Sequence, residues 1–337
     1  MHIKTTTNVN TGEHGQLTVK SLFIGDQLLF VLADQKLNMQ LILENALLSA
    51  EDGLVQSGNQ IWFHFQKYPW HLSNLEKNPI AGKHRRHIEA RLSQGLADPA
   101  NARLLNGTYH LGISPHIYSY YHLLTDLLSH LLDAPRFPVL VPEFMPLVFV
   151  DFLREAGFEV QILVADVFRV EKLIIPEMKA PDWNVDKIKK IRTFMENLHP
   201  QLSSQKSKSQ QRIYVSRKLA VKRHLANESE FSGLMKKHEF HKVYLEQLSI
   251  REQVELFRSA SHVIAAHGAG LTNVIFAPAA VKILEIRPLR TSGRFCFENL
   301  FSLGWPNNEF FVAPKSGKFF LPVAELEKVL QRWQNEA

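Results

Sequence analysis

Between His262 and Ile286 the chain reads HVIAAHGAGLTNVIFAPAAVKILEI. His262 to Ala266 is a short apolar run bounded by a glycine-rich turn, the pattern of a buried strand. Gly268 and Gly270 interrupt it. Leu271 to Phe276 then resumes with helical character until Pro278, and Val281 to Ile286 is a second buried strand. Working outward towards the N-terminus, Ser249 and Glu252 form a capping box, and Ile250, Val254 and Phe257 follow at helical spacing. Phe240 to Leu245 reads as a strand. Asn227 with Glu230 reads as another capping box, and Arg212 to Ser216 (RIYVS) as the first strand of the series. Strands that alternate with helices build a parallel sheet with right-handed crossovers. The stretch 212–318 is therefore expected to be a Rossmann-like α/β domain, followed by a C-terminal helix over 319–337 on Val323, Leu326 and Leu330.

The run PQLSSQKSKSQQ, Pro200 to Gln211, has the Ser/Gln/Lys bias of a linker. It sets a domain boundary at 201–211 and leaves 1–200 as a first domain. That domain starts with a β-rich segment, 1–65, where Leu22 to Ala33 and Leu41 to Leu48 look strand-like. Tyr118 to Leu132 predicts a helix, Pro138 to Val141 a strand, Phe149 to Ala156 a helix ended by Gly157, and Phe158 to Val164 a strand. The fold class is thus α/β in both halves. At 337 residues two domains are the better expectation than one core.

The single cysteine, Cys296, excludes an intrachain disulfide. The first residues lack an apolar signal core, and no apolar run is long enough to span a bilayer. A cytoplasmic location follows as an expectation, with peripheral membrane association through basic surface as the alternative. The net charge is +6, carried by clusters at Lys83 to His87, Lys187 to Arg192 and Lys206 to Arg223. Such clusters suit anionic partners, or are simply a solvated face.

Four constellations carry candidate chemistry. The turn His267-Gly268-Ala269-Gly270-Leu271-Thr272-Asn273 follows a strand and opens a helix, so its N–H groups and glycines suit a phosphate. A tight strand–helix connection explains the glycines equally well. The three hydrogen-bonding side chains are more than such a connection requires. Ser216 and Arg217, with Arg223, Asn227 and Glu228 beyond them, sit after the first strand at the same sheet edge. An arginine there pairs with phosphate oxygens. His122 and Asp126 stand four apart on one helix, where a carboxylate can tune an imidazole into a general base. The alternative is a hydrogen-bonded core histidine. Glu285 ends a strand and could accept ribose hydroxyls or pair with Arg287. No Cys/His or His/carboxylate spacing forms a metal site, and there is no Asp-x-Asp pair.

These segments occur in an order that resembles the glycosyltransferase 61 family. The matching pieces are Tyr-His-x-Leu-x-Asp at Tyr121 to Asp126, Tyr-x-Ser-Arg…Arg…Asn-Glu at Tyr214 to Glu228, the helix from Glu252 to Ala260, His-Gly-Ala-Gly-Leu-Thr-Asn, and the strand ending at Glu285. The resemblance implies a GT-B architecture, two Rossmann-like domains facing across a cleft, and inverting transfer without an essential metal or other cofactor. The donor is expected to be a UDP-sugar, with a CMP-linked sugar as the alternative, and the acceptor a glycan, in bacterial capsule or surface polysaccharide synthesis. Arg217 and Arg223 would neutralise the donor phosphates in place of a metal. The turn would give N–H groups, and His122 or Asp126 would deprotonate the acceptor. Leu123 stands where the family has tryptophan and Ser119 where it has asparagine, so acceptor identity is not carried over.

Two rival readings belong to other classes. One is a non-catalytic basic module that holds polyanionic glycan or nucleic acid. It explains the charge but not a Ser-Arg pair and an HGAG turn at one sheet edge, and the transferase reading expects no nucleic-acid partner. The other is a nicotinamide-dependent oxidoreductase, whose glycine fingerprint belongs after the first strand rather than a late one.

Overall fold

The computed structural model describes residues 2–10, 16–24, 27–32, 41–50, 53–57, 60–63, 101–113, 117–164, 166–175, 185–200, 211–220, 224–288, 308–313 and 320–336. The chain divides into two compact units. One comprises Met1–Tyr118 and Asp126–Pro181, the other Ser119–Thr125 and Asp182–Ala337. The linker expected at 201–211 lies, but for Gln211, outside the described residues. The helix Val185–Leu198 falls in the second unit, although the linker-based boundary would assign it to the first.

The first unit is built on one mixed sheet. Strands β1 (His2–Asn10), β2 (Gln16–Ile24) and β3 (Gln27–Leu32) run antiparallel, as do β4 (Leu41–Ser49), β5 (Leu54–Ser57) and β6 (Gln60–Phe63). The remaining strands, β7 (Arg103–Leu111), β8 (Val139–Pro142), β9 (Val160–Leu163) and β10 (Val167–Ile175), are mutually parallel. Their order is β1-β2-β3-β6-β5-β4-β10-β7-β8-β9. The antiparallel pairing of β4 with β10 joins the two halves. The β-rich segment thus supplies six of the ten strands of this one sheet. Its buried face gathers Ala46, Leu48, Val55, Leu111, Val170 and Leu173, which burial removes from water.

The helix Leu147–Glu155 lies between β8 and β9. It stops where expected. Gly157 takes φ +79°, the Phe158 N–H reaches back to the Leu153 carbonyl at 3.0 Å, and the Gly157 N–H bonds Arg154 at 2.9 Å. That is a left-handed C-terminal cap, which glycine adopts without Cβ strain.

The helix predicted over Tyr118 to Leu132 is present but irregular. Tyr120–His122 is α-helical, Leu123–Leu128 is π-helical, and Ser129–Leu131 is α-helical again. The spacing of His122 and Asp126 assumed an uninterrupted α-helix, so the π-helical stretch alters their register. The two residues are also assigned to different compact units.

The second unit holds a fully parallel sheet. Its strands are β11 (Gln211–Val215), β12 (Phe240–Val243), β13 (Ala260–Ala266), β14 (Lys282–Pro288) and β15 (Asn308–Ala313), in the order β12-β11-β13-β14-β15. The chain moves from β11 to one side and then crosses back to β13. The order reverses between those two strands, which makes a topological switch point. One face of the sheet, with Tyr214, Ile264, Leu284 and Ile286, packs against Phe231, Met235 and the helix Val323–Asn335 through Leu326, Leu330 and Trp333. Alternation turns Val215, Ala265 and Glu285 to the opposite face.

One local expectation fails. Asn227 and Glu230 do not cap a helix. Residues 226–231 turn, and the helix starts at Ser232 (Ser232–Lys237) with Phe231 in the cap position. The stretch after the HGAG turn is helical, as read, and takes the 3₁₀ form over Ala269–Phe276. By contrast Ser249 and Glu252 do form a capping box ahead of Ile250–Arg258. The Ser249 Oγ accepts from the Glu252 N–H at 3.2 Å, and the Glu252 carboxylate accepts the Ser249 N–H at 2.7 Å.

Candidate functional site

Ser216 and Arg217 leave β11, and His267 to Gly270 leave β13. Both segments thus emerge at the carboxyl ends of the two strands that flank the switch point, where open parallel sheets bind their ligands. They meet there. A Cβ built on Gly268 would fall 2.9 Å from the Cζ of Arg217 and closer still to its Nη1. The missing side chain is what lets the guanidinium lie on the turn. Gly268 itself is extended, so the space and not an unusual φ requires glycine.

His267 is buried and fixed from two sides. Its N–H bonds the Ile286 carbonyl at 2.9 Å, which docks the turn to β14. Its Nδ1 lies 2.5 Å from Oε1 of Glu285, which is only 1% exposed. The second oxygen of that carboxylate, Oε2, has no hydrogen-bond partner among the described residues. Parallel register sets Ala265 beside Glu285, so the imidazole two residues on meets the carboxylate on the same sheet face. Glu285 therefore neither pairs with Arg287 nor stands open at the surface. It faces a histidine.

The other expected residues divide by what already holds them. The Ser216 hydroxyl donates to Glu228 at 2.8 Å and accepts the Lys218 N–H at 3.2 Å. Glu228 also holds Lys242 in an ion pair. Asn227 ties this segment to the approach of the C-terminal helix: Nδ2 donates to the Leu321 carbonyl at 2.8 Å and to the Glu230 carboxylate at 3.0 Å, and Oδ1 accepts the Leu321 N–H at 3.0 Å. Asn273 is equally committed. Its Nδ2 donates to Gln253 at 2.9 Å and to the Gly270 carbonyl at 3.1 Å, and its Oδ1 accepts the Tyr120 hydroxyl at 2.7 Å. Thr272 is fully buried, and its hydroxyl has no partner among the described residues. The Leu271 N–H returns to the Gly268 carbonyl at 3.0 Å. Arg223 lies outside the described residues.

What remains solvent-accessible at the sheet edge is Arg217, Ala269 and Gly270. The first N–H groups of a helical turn have no partner within it. Together with a guanidinium they can bind a phosphate or another small oxyanion.

Sequence reasoning missed several supports. Arg192 was read as part of a basic surface cluster. It instead clamps the end of the 3₁₀ helix, donating to the carbonyls of Ile275 at 2.6 Å and Ala277 at 3.1 Å. The periodic Val185, Ile188, Ile191 and Met195 would have revealed its helix. Tyr120 and Gln253 fix Asn273, and no sequence spacing announces either contact. A cavity of about 690 Å³ opens beside β11 and β12, lined by Tyr214, Glu228, Phe231, Phe240 and Lys242 among others. It shares Glu228 with the Ser216 network but includes none of His267 to Asn273.

Among the described residues no group of three or more His, Cys, Asp or Glu side chains could hold a metal ion. Among them too, no helix is long and apolar enough to cross a membrane.

Comparison with known proteins adds one positive finding. No curated protein matches the chain. The metal-soaked Flv1 flavodiiron core from Synechocystis sp. PCC6803 aligns over 97% of this chain and 67% of that one, at 9% identity and a TM-score of 0.27. That likeness is too slight to bear on fold or reaction. The glycosyltransferase 61 family model matches residues 120–284, from the tyrosine that holds Asn273 to the strand residue beside Glu285. The matched span takes in both strand-end segments of the switch point and the helix that carries Gln253. The chain belongs to the glycosyltransferase 61 family and is a glycosyltransferase that acts between a donor and an acceptor substrate.

Proposed function

We propose that the edge of the parallel sheet at β11 and β13 binds the phosphates of a nucleotide-sugar donor. The observation that carries this reading is the guanidinium of Arg217 lying on Gly268 at the switch point. Donor transfer leaves negative charge on the departing phosphate, and a fixed cation with backbone N–H groups stabilises that charge most where it develops. Arg217 and the N–H groups of Ala269 and Gly270 fill that role in this chain. The family resemblance implies an inverting, metal-independent mechanism, in which the arginine would take the place of a divalent ion.

We assign the phosphate contacts to Arg217, Ala269 and Gly270, and a supporting role to Ser216, Glu228 and Asn273, whose side chains are spent on protein partners. Arg223 remains a second candidate cation. On the acceptor side His122 is the residue we assign to deprotonate the hydroxyl, with Asp126 as the alternative, on the family resemblance alone. The same resemblance supports a GT-B architecture, a UDP-sugar donor with a CMP-linked sugar as the alternative, and a glycan acceptor in bacterial surface polysaccharide synthesis.

A thermal-shift screen over nucleotides and nucleotide sugars tests the reading. A nucleoside diphosphate or its sugar conjugate should raise the melting temperature at concentrations well above Kd. A flat response to every nucleotide would refute it.

A further inference from the structure

We infer that Arg192 is a positioning residue for the donor. By holding the carboxyl end of the helix Ala269–Phe276, it keeps the 3₁₀ winding that aims the Ala269 and Gly270 N–H groups at the donor phosphates. This rests on the donor-site reading above.

The helix is unusual in its length. Runs of 3₁₀ beyond three or four residues are uncommon, because their hydrogen bonds are poorly aligned. This one has eight residues. It is 3₁₀ at both ends: the Leu271 N–H bonds the Gly268 carbonyl and the Ala277 N–H the Val274 carbonyl, each three residues back and each at 3.0 Å. Eight residues rise about 16 Å in this form and about 12 Å in the α form. Rewinding towards α would therefore shorten the segment by about 4 Å and re-aim its first N–H groups. Contacts from outside the helix must hold the longer form.

Arg192 supplies such a contact. The last carbonyls of a helix have no partner within it. Nη1 of Arg192 donates to two of them, Ile275 at 2.6 Å and Ala277 at 3.1 Å. These bonds carry a charge and are stronger than neutral ones. A cation at the carboxyl end and phosphates at the amino end are also the charges that a helix dipole favours. The arginine is itself braced. Its helix, Val185–Leu198, is anchored by buried Ile188, Ile191 and Met195. Glu196, one turn on, pairs with Arg258 at 3.0 Å. Arg258 ends the helix Ile250–Arg258, which also sends Gln253 to Asn273. The 3₁₀ helix is thus fixed at three points: the His267 N–H at the turn, Asn273 in the middle and Arg192 at the far end.

Two measurements test this. Hydrogen exchange over residues 268–278, read by mass spectrometry on the free protein, needs no ligand. Arg192→Met keeps the bulk of the stem and loses the donors, so exchange there should rise about tenfold or more. Arg192→Lys, whose ammonium can still donate to carbonyls, should fall between Arg192→Met and the wild type. Exchange in Arg192→Met equal to the wild type would overturn the inference whatever the donor is. Calorimetric titration with UDP reads the positioning. Arg192→Met should bind about tenfold more weakly than the wild type, with partial rescue in Arg192→Lys. Leu326→Val is the control, because it lowers stability from the opposite face of the sheet and should leave UDP affinity unchanged. Equal UDP affinity in Arg192→Met and the wild type, or an equal loss in Leu326→Val, would overturn the positioning role. Failure of UDP to bind the wild type, with the exchange difference present, would refute the phosphate reading and with it the donor role of Arg192.

Discussion

The guanidinium of Arg217 occupies the space that a side chain on Gly268 would need, with Cζ 2.9 Å from where the Cβ would be. Gly268 is extended, so alanine suits its backbone and the conflict is with the arginine alone. Gly268→Ala should therefore displace Arg217 and weaken UDP binding by about tenfold or more, with little change in melting temperature. Gly270→Ala is the contrast. Its Cβ would meet Leu245 Cδ1 at 2.7 Å, so it should cost about 1–3 kcal/mol of stability through overpacking. Calorimetry and thermal denaturation of the two variants separate the effects. Unchanged affinity in Gly268→Ala would show that Arg217 does not act from this position.

Asn273 should matter for folding before it matters for substrate. Its amide joins Tyr120, Gln253 and the Gly270 carbonyl in a largely buried network. Tyr120→Phe leaves the Asn273 Oδ1 short of a donor, and should cost about 1–3 kcal/mol. Asn273→Ala should cost at least as much. The double variant should cost less than the two singles added, because both remove the same hydrogen bond. Urea titration measures all three. Additive losses would mean the two residues act independently.

Asn227 makes a parallel case. Both ends of its amide are spent on Leu321, which leads into the helix Val323–Asn335. Asn227→Ala should lower stability by about 1–3 kcal/mol and leave the affinity for UDP unchanged. A large loss of affinity at unaltered stability would return Asn227 to the donor pocket.

The acid side of the stability curve should carry the mark of His262. It is buried against Trp333 and Phe240. Burial, reinforced by repulsion from Arg212 and Lys282, pushes its imidazole down to about 4. The unfolded chain takes up that proton near the ordinary histidine value, so it binds more protons than the folded one in between. Stability from this group is complete above about pH 6.5 and is lost as pH falls towards 4. Phenylalanine keeps the ring contacts and cannot titrate, so His262→Phe should flatten the decline in melting temperature over that window. An unchanged acid slope would assign the decline elsewhere.

The second unit was legible because its signals are local. RIYVS, the Ser249–Glu252 box and the glycine turn each mark one element, and their alternation implies a parallel sheet. The strand order was not legible, since nothing local tells that β12 lies outside β11. The first unit was harder. Antiparallel and parallel strands share one sheet, and β7 and β10 mix polar with apolar residues, so periodicity does not isolate them. Within the site the contacts that each side chain makes were not legible. Sequence spacing cannot show that Asn227 is spent on Leu321, 94 positions away, or that Glu285 faces His267 rather than Arg287. Such contacts are made by tertiary packing. The π-helical stretch after His122 was equally hidden, because an i, i+4 pattern presupposes the α-helical turn.

The central claim is that the switch-point edge binds the donor's phosphates through Arg217. Isothermal titration of UDP into wild type and Arg217→Ala tests it most directly, with melting temperatures to confirm that both are folded. The predicted result is measurable binding to the wild type and a loss of about 10- to 100-fold in the variant at equal stability. Equal affinity in the two proteins would contradict it.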